Sequence, residues 1–236
     1  MAADNLFFAY LPNLYWSARL VHALTSNPAL KDRASQLQQG PLRELQLAVT
    51  TKLKVLQKVV VRFEKHLHEL LVVLQGDRAR VQRYIGEPNS AYKIGNESLV
   101  WEIVLDIDSF LYETRSTYEI FGAFLREFFN RILGETITEQ ALKDTLEAQH
   151  IDTRWIEELR EDRITFFHNT APWIAADCKG SPNLEIELLI LKKDAADFSD
   201  PSNYIRLESL RAIYKGFNTS QAAILDLLVS RIASFT

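Results

Sequence analysis

Val49-Thr-Thr-Lys-Leu53-Lys-Val-Leu56-Gln-Lys-Val-Val60-Val-Arg-Phe63-Glu-Lys-His-Leu67-His-Glu-Leu70-Leu-Val-Val-Leu74 is the stretch whose reading decides the fold. Its numbered apolar residues alternate steps of four and three, the repeat of a helix packed lengthwise on neighbours. Pro41 suits a first helical residue and Gly76 a stop, so the spacing predicts one helix over 41–75. Lys54, Lys58, Arg62 and Lys65 form a row of like charges on another face, read as solvated, with an RNA-backbone track as the rival reading. His66 and His68 invite a metal reading. Side chains two apart on a helix diverge by roughly 200°, however, and cannot chelate one ion.

Working outward, residues 5 to 25 carry Phe7, Leu11, Leu14, Ala18 and Val21 at helical spacing, with His22 a boundary histidine beside the stripe. Residues 26–40, holding Pro28 and Gly40, read as a connector. Gly76 to Asn96 reads as a loop with at most one helical turn; Arg78, Arg80, Arg83 and Lys93 make it a second cluster able to position phosphate. A further long helix is expected from about Glu97 to Leu133, capped by Gly134. Its stripe runs through Ile103, Ile107, Leu111, Thr114, Tyr118, Phe121 and Leu125. Asp108 and Arg115 fall along one margin, and Asp106 on the far side. Thr138 or Thr136 caps a short helix to about Gln149. A final helical region follows Pro201; its apolar stripe runs through Gly216 as in one long helix, while Asn218 or Thr219 could instead cap a second.

Between them lies Leu159-Arg160-Glu161-Asp162-Arg163-Ile164-Thr165-Phe166-Phe167-His168-Asn169. Arg163 falls on the apolar stripe of this helix, where an unpaired charge costs several kcal/mol or more. It therefore needs a carboxylate, a phosphate or a wet cleft, and Asp108 is the first choice of carboxylate. His168, five residues on, ordinarily titrates within about a unit of neutrality. Five residues turn a helix by about 500°, leaving the two side chains some 140° apart. One small ligand reaches both only through the length of Arg, a distorted turn or a second copy of the chain.

Beyond Pro172 the period changes from helix to strand. Trp173-Ile-Ala-Ala-Asp177, the turn-forming Lys179-Gly180-Ser181-Pro182-Asn183, and Leu184-Glu-Ile-Glu-Leu-Leu-Ile-Leu191 predict a β-hairpin near residues 173–191. Glu185 and Glu187 alternate with Leu184, Ile186 and Leu188, which suits a half-exposed strand. The fold class is therefore all-α: a bundle of about four long helices plus shorter ones, with a small hairpin insertion, read as a single domain over 1–236.

The Arg163-x4-His168-Asn169 arrangement in a late helix of an all-helical chain resembles the HEPN superfamily (higher eukaryotes and prokaryotes nucleotide-binding domains). The helix around Asp106 to Ser116 is similar to the long helix that precedes the motif in such proteins. The resemblance implies a homodimer in which the two motifs face one another. It also implies metal-independent RNA cleavage, with roles as toxins or in stress and defence and with an antitoxin or regulatory protein as partner. Arg163 and His168 would be the catalytic pair, with Asn169 and Arg160 on the phosphate and Asp108 and Arg115 in support. No cofactor and no metal are expected. The alternative is a catalytically inactive HEPN-like binding or scaffold protein.

Composition bounds these readings. Only 8 Gly and 7 Pro in 236 residues favour long uninterrupted helices, and 47% hydrophobic with 25% charged residues is ordinary for a globular chain. A net charge of −4 offers no global attraction for a polyanion, so RNA would need a local patch. One cysteine, Cys178, excludes an internal disulfide and fits a reducing, cytoplasmic setting. No apolar run is long enough to span a membrane. No Gly-rich phosphate loop follows a strand, no nucleophile elbow appears, and Glu147-Ala-Gln-His150 is a single copy of a motif that di-iron bundles need twice.

Overall fold

In a computed structural model of the protein the described residues are 8, 14–84, 91–168, 172–177, 187–191 and 198–236, with only the backbone described for 163–168. Helices dominate: α1 (Trp16–Ser26), α2 (Gly40–Gly76), the short α3 (Arg78–Val81), α4 (Glu97–Phe128), α5 (Glu139–Ala148), α6 (Arg154–His168) and α7 (Leu207–Ala233). Four strands, β1 (Tyr92–Lys93), β2 (Trp173–Asp177), β3 (Glu187–Leu191) and β4 (Tyr204–Arg206), form one antiparallel sheet in the order β1-β2-β3-β4. The mostly helical architecture with a small sheet agrees with the expected class. Among the described residues no helix is long and apolar enough to cross a membrane.

The chain divides into two compact units, residues 1–9, 59–112 and 158–213 in the first and 10–58, 113–157 and 214–236 in the second. In the first unit Phe8, Phe63 and Phe110 pack as tilted rings with centroids 5.3 to 6.4 Å apart. The same unit holds the sheet. Ala175, Leu189 and Leu191 of β2 and β3 build its core with Phe198 and Tyr204. In the second unit Trp16 of α1 is fully buried and meets Phe121 and Phe124 of α4 edge-on at 5.6 and 4.8 Å. Asn27, just past α1, donates to the carbonyls of Ile232 and Phe235 and so ties down the end of α7.

The predicted helix over 41–75 is α2, and all eight of its marked apolar residues are buried. The helix predicted from Glu97 is also present, finishing with one π turn (Phe129–Leu133). It stops at Gly134, whose φ of 73° is the left-handed cap expected of a glycine. Thr138 is the cap of α5, accepting from the amide of Ala141 at 3.1 Å. A φ of 59° at His150 then ends α5.

The hairpin differs in detail from its sequence pattern. β2 and β3 pair over Trp173–Leu191 to Asp177–Glu187, but Leu188 to Leu191 are all buried. Only Glu187 of the expected polar face is part-exposed, since β3 is an inner strand between β2 and β4. The turn residues, Cys178 and Glu185 lie outside the described residues. Two strands escaped the sequence reading. β1 falls in the segment 76–96, whose turn residues predict a loop, and β4 occupies the first turns of the helical region predicted after Pro201. Both are too short to show a period.

Candidate functional site

α6 carries the sequence motif, and its early residues explain its placement. Trp155, Ile156 and Leu159 are buried, while Arg160 and Glu161 face solvent. The α-helix continues unbroken through the backbone positions of Arg163 and His168 and ends at His168. The side chains of both, and Asn169 entirely, lie outside the described residues, as does the expected pairing of Arg163 with Asp108. Asp108 is half-buried on α4 in the first unit. Arg115 belongs to the second unit, where its Nε donates to Glu119 Oε1 at 2.7 Å and its guanidinium lies over the Tyr118 ring.

What the sequence placed on the far side of α4 is a buried charge centre. Asp106 is fully buried and accepts from Arg62 Nε at 2.5 Å through one oxygen and from His66 Nδ1 at 2.6 Å through the other. Arg62 and His66 are four residues apart on α2 and so share one face. The correction follows from helix geometry: Asp106 stands three residues after Ile103 and four before Phe110, both buried, so it belongs to the inner stripe. That spacing is the signal in the sequence of its inward position.

Chemically, a carboxylate holding Nδ1 of an imidazole leaves Nε2 as the working nitrogen. His66, however, is only 8% exposed, so the cluster ties α2 to α4 instead of meeting a substrate. His68 takes a separate partner, its Nδ1 on the Glu64 carbonyl at 2.7 Å, and the two histidines do not converge. Glu64 also accepts from the amide of Phe8. Lys54, Lys58, Arg62 and Lys65 are exposed, in keeping with a solvated face, except that the head of Arg62 turns to Asp106. Arg78, Arg80, Arg83 and Lys93 are likewise exposed.

The second unit contains a cavity of about 150 Å³ walled by α4, α5, α6 and α7. Trp155 forms one wall. Its indole nitrogen donates to Ser220 Oγ at 3.1 Å, and its ring meets Tyr118 and Phe217 edge-on at 5.5 and 5.9 Å. The Tyr118 hydroxyl donates to Glu139 Oε1 at 2.7 Å. Burial first, then the Glu139 carboxylate, push the Tyr118 pKa well above the ordinary tyrosine range, and burial does the same to Tyr214.

These shifts have a testable sign. A phenol whose folded pKa is raised leaves stability intact below the unfolded value, about 10, and loses it as pH climbs toward the folded value. Stability to urea should therefore fall above the ordinary tyrosine pKa, and Tyr118→Phe should flatten that fall. An unchanged slope in Tyr118→Phe would contradict the assignment.

At the start of α6 the Asp152 carboxylate accepts from the amide and guanidinium of Arg154, which hold its pKa down at about 2. Neighbouring Thr153 is buried and donates to Glu147 at 2.6 Å. Both fix where the motif helix begins. Comparison of the chain with protein-family models, with curated proteins and with solved structures gives no match.

Proposed function

We propose that the protein is a metal-independent endoribonuclease of HEPN type, with Arg163 and His168 as its catalytic pair in a cleft shared by two copies of the chain. The observation that carries the reading is the unbroken α-helix through both positions, within a mostly helical framework. RNA cleavage of this kind needs a proton carrier near neutrality for the 2′-hydroxyl or the leaving oxygen and a cation for charge building on phosphorus. An imidazole and a guanidinium are the side chains suited to those two tasks. Asn169 and Arg160 would contact the phosphate, with Asp108 as a support. A toxin, stress or defence role in the cytoplasm, restrained by a protein partner, belongs to the same proposal.

Support for a second copy comes from α4. Trp101, Leu105 and Tyr112, at steps of four and seven, are 44%, 56% and 46% exposed and form an apolar stripe along one face of the helix. The test is incubation of the purified protein with mixed RNA in excess chelator. Wild type should cut, and Arg163→Ala and His168→Ala should each lose most of the activity. Cleavage by wild type no faster than by His168→Ala ends the proposal, and a strictly monomeric scattering mass removes the shared cleft. A non-catalytic binding protein is the second reading, and the aromatic-walled cavity of the second unit is the observation in its favour.

A further inference from the structure

The cavity between α4, α5, α6 and α7 has the make-up of a ligand site. Its walls include Phe121, Leu142, Trp155 and Phe217, so its interior is largely apolar. One polar group stands out within it: Gln221 is 3% exposed, lines the cavity, and its Nε2 has no hydrogen-bond partner. A buried amide N–H left without an acceptor is costly, and a ligand oxygen would satisfy it.

The rim then selects charge. Arg115 is paired with Glu119, whereas Glu139 accepts the neutral Tyr118 hydroxyl and keeps its negative charge. Arg126 and Lys143 also line the cavity and form no ion pair among the described residues. Two cations against the one charge of Glu139 leave the lining of this apolar chamber net positive among the described residues. The wall is also open at Gly122, where an added Cβ would meet only Arg126 Nη1, at 3.6 Å. Glycine in mid-helix is disfavoured relative to alanine, so the bare wall is kept against local preference.

We propose that this cavity binds a small aryl carboxylate, the ring among Trp155, Phe121 and Phe217, and the carboxylate at Arg126 and Lys143 with one oxygen accepting from Gln221 Nε2. A volume of this size suits one aromatic ring, by analogy with an engineered apolar cavity of about 150 Å³ in another protein that takes up benzene. The site lies within the second unit and does not rest on the RNA reading.

Titration calorimetry of the full chain with 3-phenylpropanoate tests it, with 3-phenylpropanamide as the neutral comparator. Wild type should bind the acid with a dissociation constant on the order of 10⁻⁴ M, as ligands of about ten heavy atoms reach. The amide should bind about five- to tenfold more weakly, the contribution of two partly exposed cations. Arg126→Ala with Lys143→Ala should erase that preference and leave amide binding unchanged. Gly122→Leu should abolish both by filling the chamber, and Gln221→Leu gives a second loss of binding should Gly122→Leu fail to fold. No binding by wild type at millimolar acid, equal binding of acid and amide, or binding untouched by a folded Gly122→Leu or Gln221→Leu would each overturn the proposal.

Discussion

Asp106→Ala is expected to lower the unfolding free energy by about 3 kcal/mol, read as a drop in the urea midpoint. The carboxylate is fully buried and holds two charge-assisted bonds, at 2.5 Å to Arg62 and 2.6 Å to His66. Removing it strands the His66 donor in the interior, which costs about 1–3 kcal/mol, and leaves a small void whose lining loses contacts. The two partners contribute unequally. The Arg62 side chain is 50% exposed and regains water at once, so Arg62→Ala should cost under about 1 kcal/mol. Asp106→Leu combined with His66→Leu should recover much of the loss, because replacing both members of a buried hydrogen-bonded pair by apolar groups of suitable volume costs little. An Asp106→Ala penalty as small as that of Arg62→Ala would show that the cluster does not hold α2 and α4 together.

Gly216→Val is expected to cost a similar amount, about 3 kcal/mol, for a steric reason. A Cβ at position 216 would stand 2.4 Å from Trp155 Cδ1 and 2.5 Å from Cγ, closer than real atoms approach. The indole cannot easily move away, since it is 4% exposed, bonded to Ser220 and flanked by Tyr118 and Phe217. Two effects oppose each other in Gly216→Ala. Helix propensity favours alanine by about 1 kcal/mol, while overpacking costs about 1–3 kcal/mol; the clash should win narrowly. Valine adds two more carbons and a stiff χ1, and the balance tips fully. Denaturation midpoints of the pair decide it, and a stabilised Gly216→Ala would mean that Trp155 has room to shift.

The motif helix, the cap at Thr138 and the stop at Gly134 were legible because each depends on residues close together in sequence. The apolar stripe allowed α7 to continue through Gly216, but Asn218 or Thr219 offered a second start, and the structure has one helix. Why a glycine stands there was not, since its cause is an indole from α6. The burial of Asp106 as a carboxylate was not legible, since only the partners Arg62 and His66 from α2 make a buried carboxylate tolerable. β1 and β4 went unseen because strands of two and three residues exist by virtue of the neighbours they pair with.

Local order, then, was written in the chain: where helices begin, which stripe each one buries, and where the pattern turns to strand. These follow from backbone sterics and from apolar spacing that one segment contains by itself. Tertiary structure alone decided which charges are buried together, which glycine makes room for a ring, and where four helices leave a chamber with an unanswered amide. Those outcomes join residues 40 to more than 100 positions apart, and burial energies between such residues have no signature in any single segment.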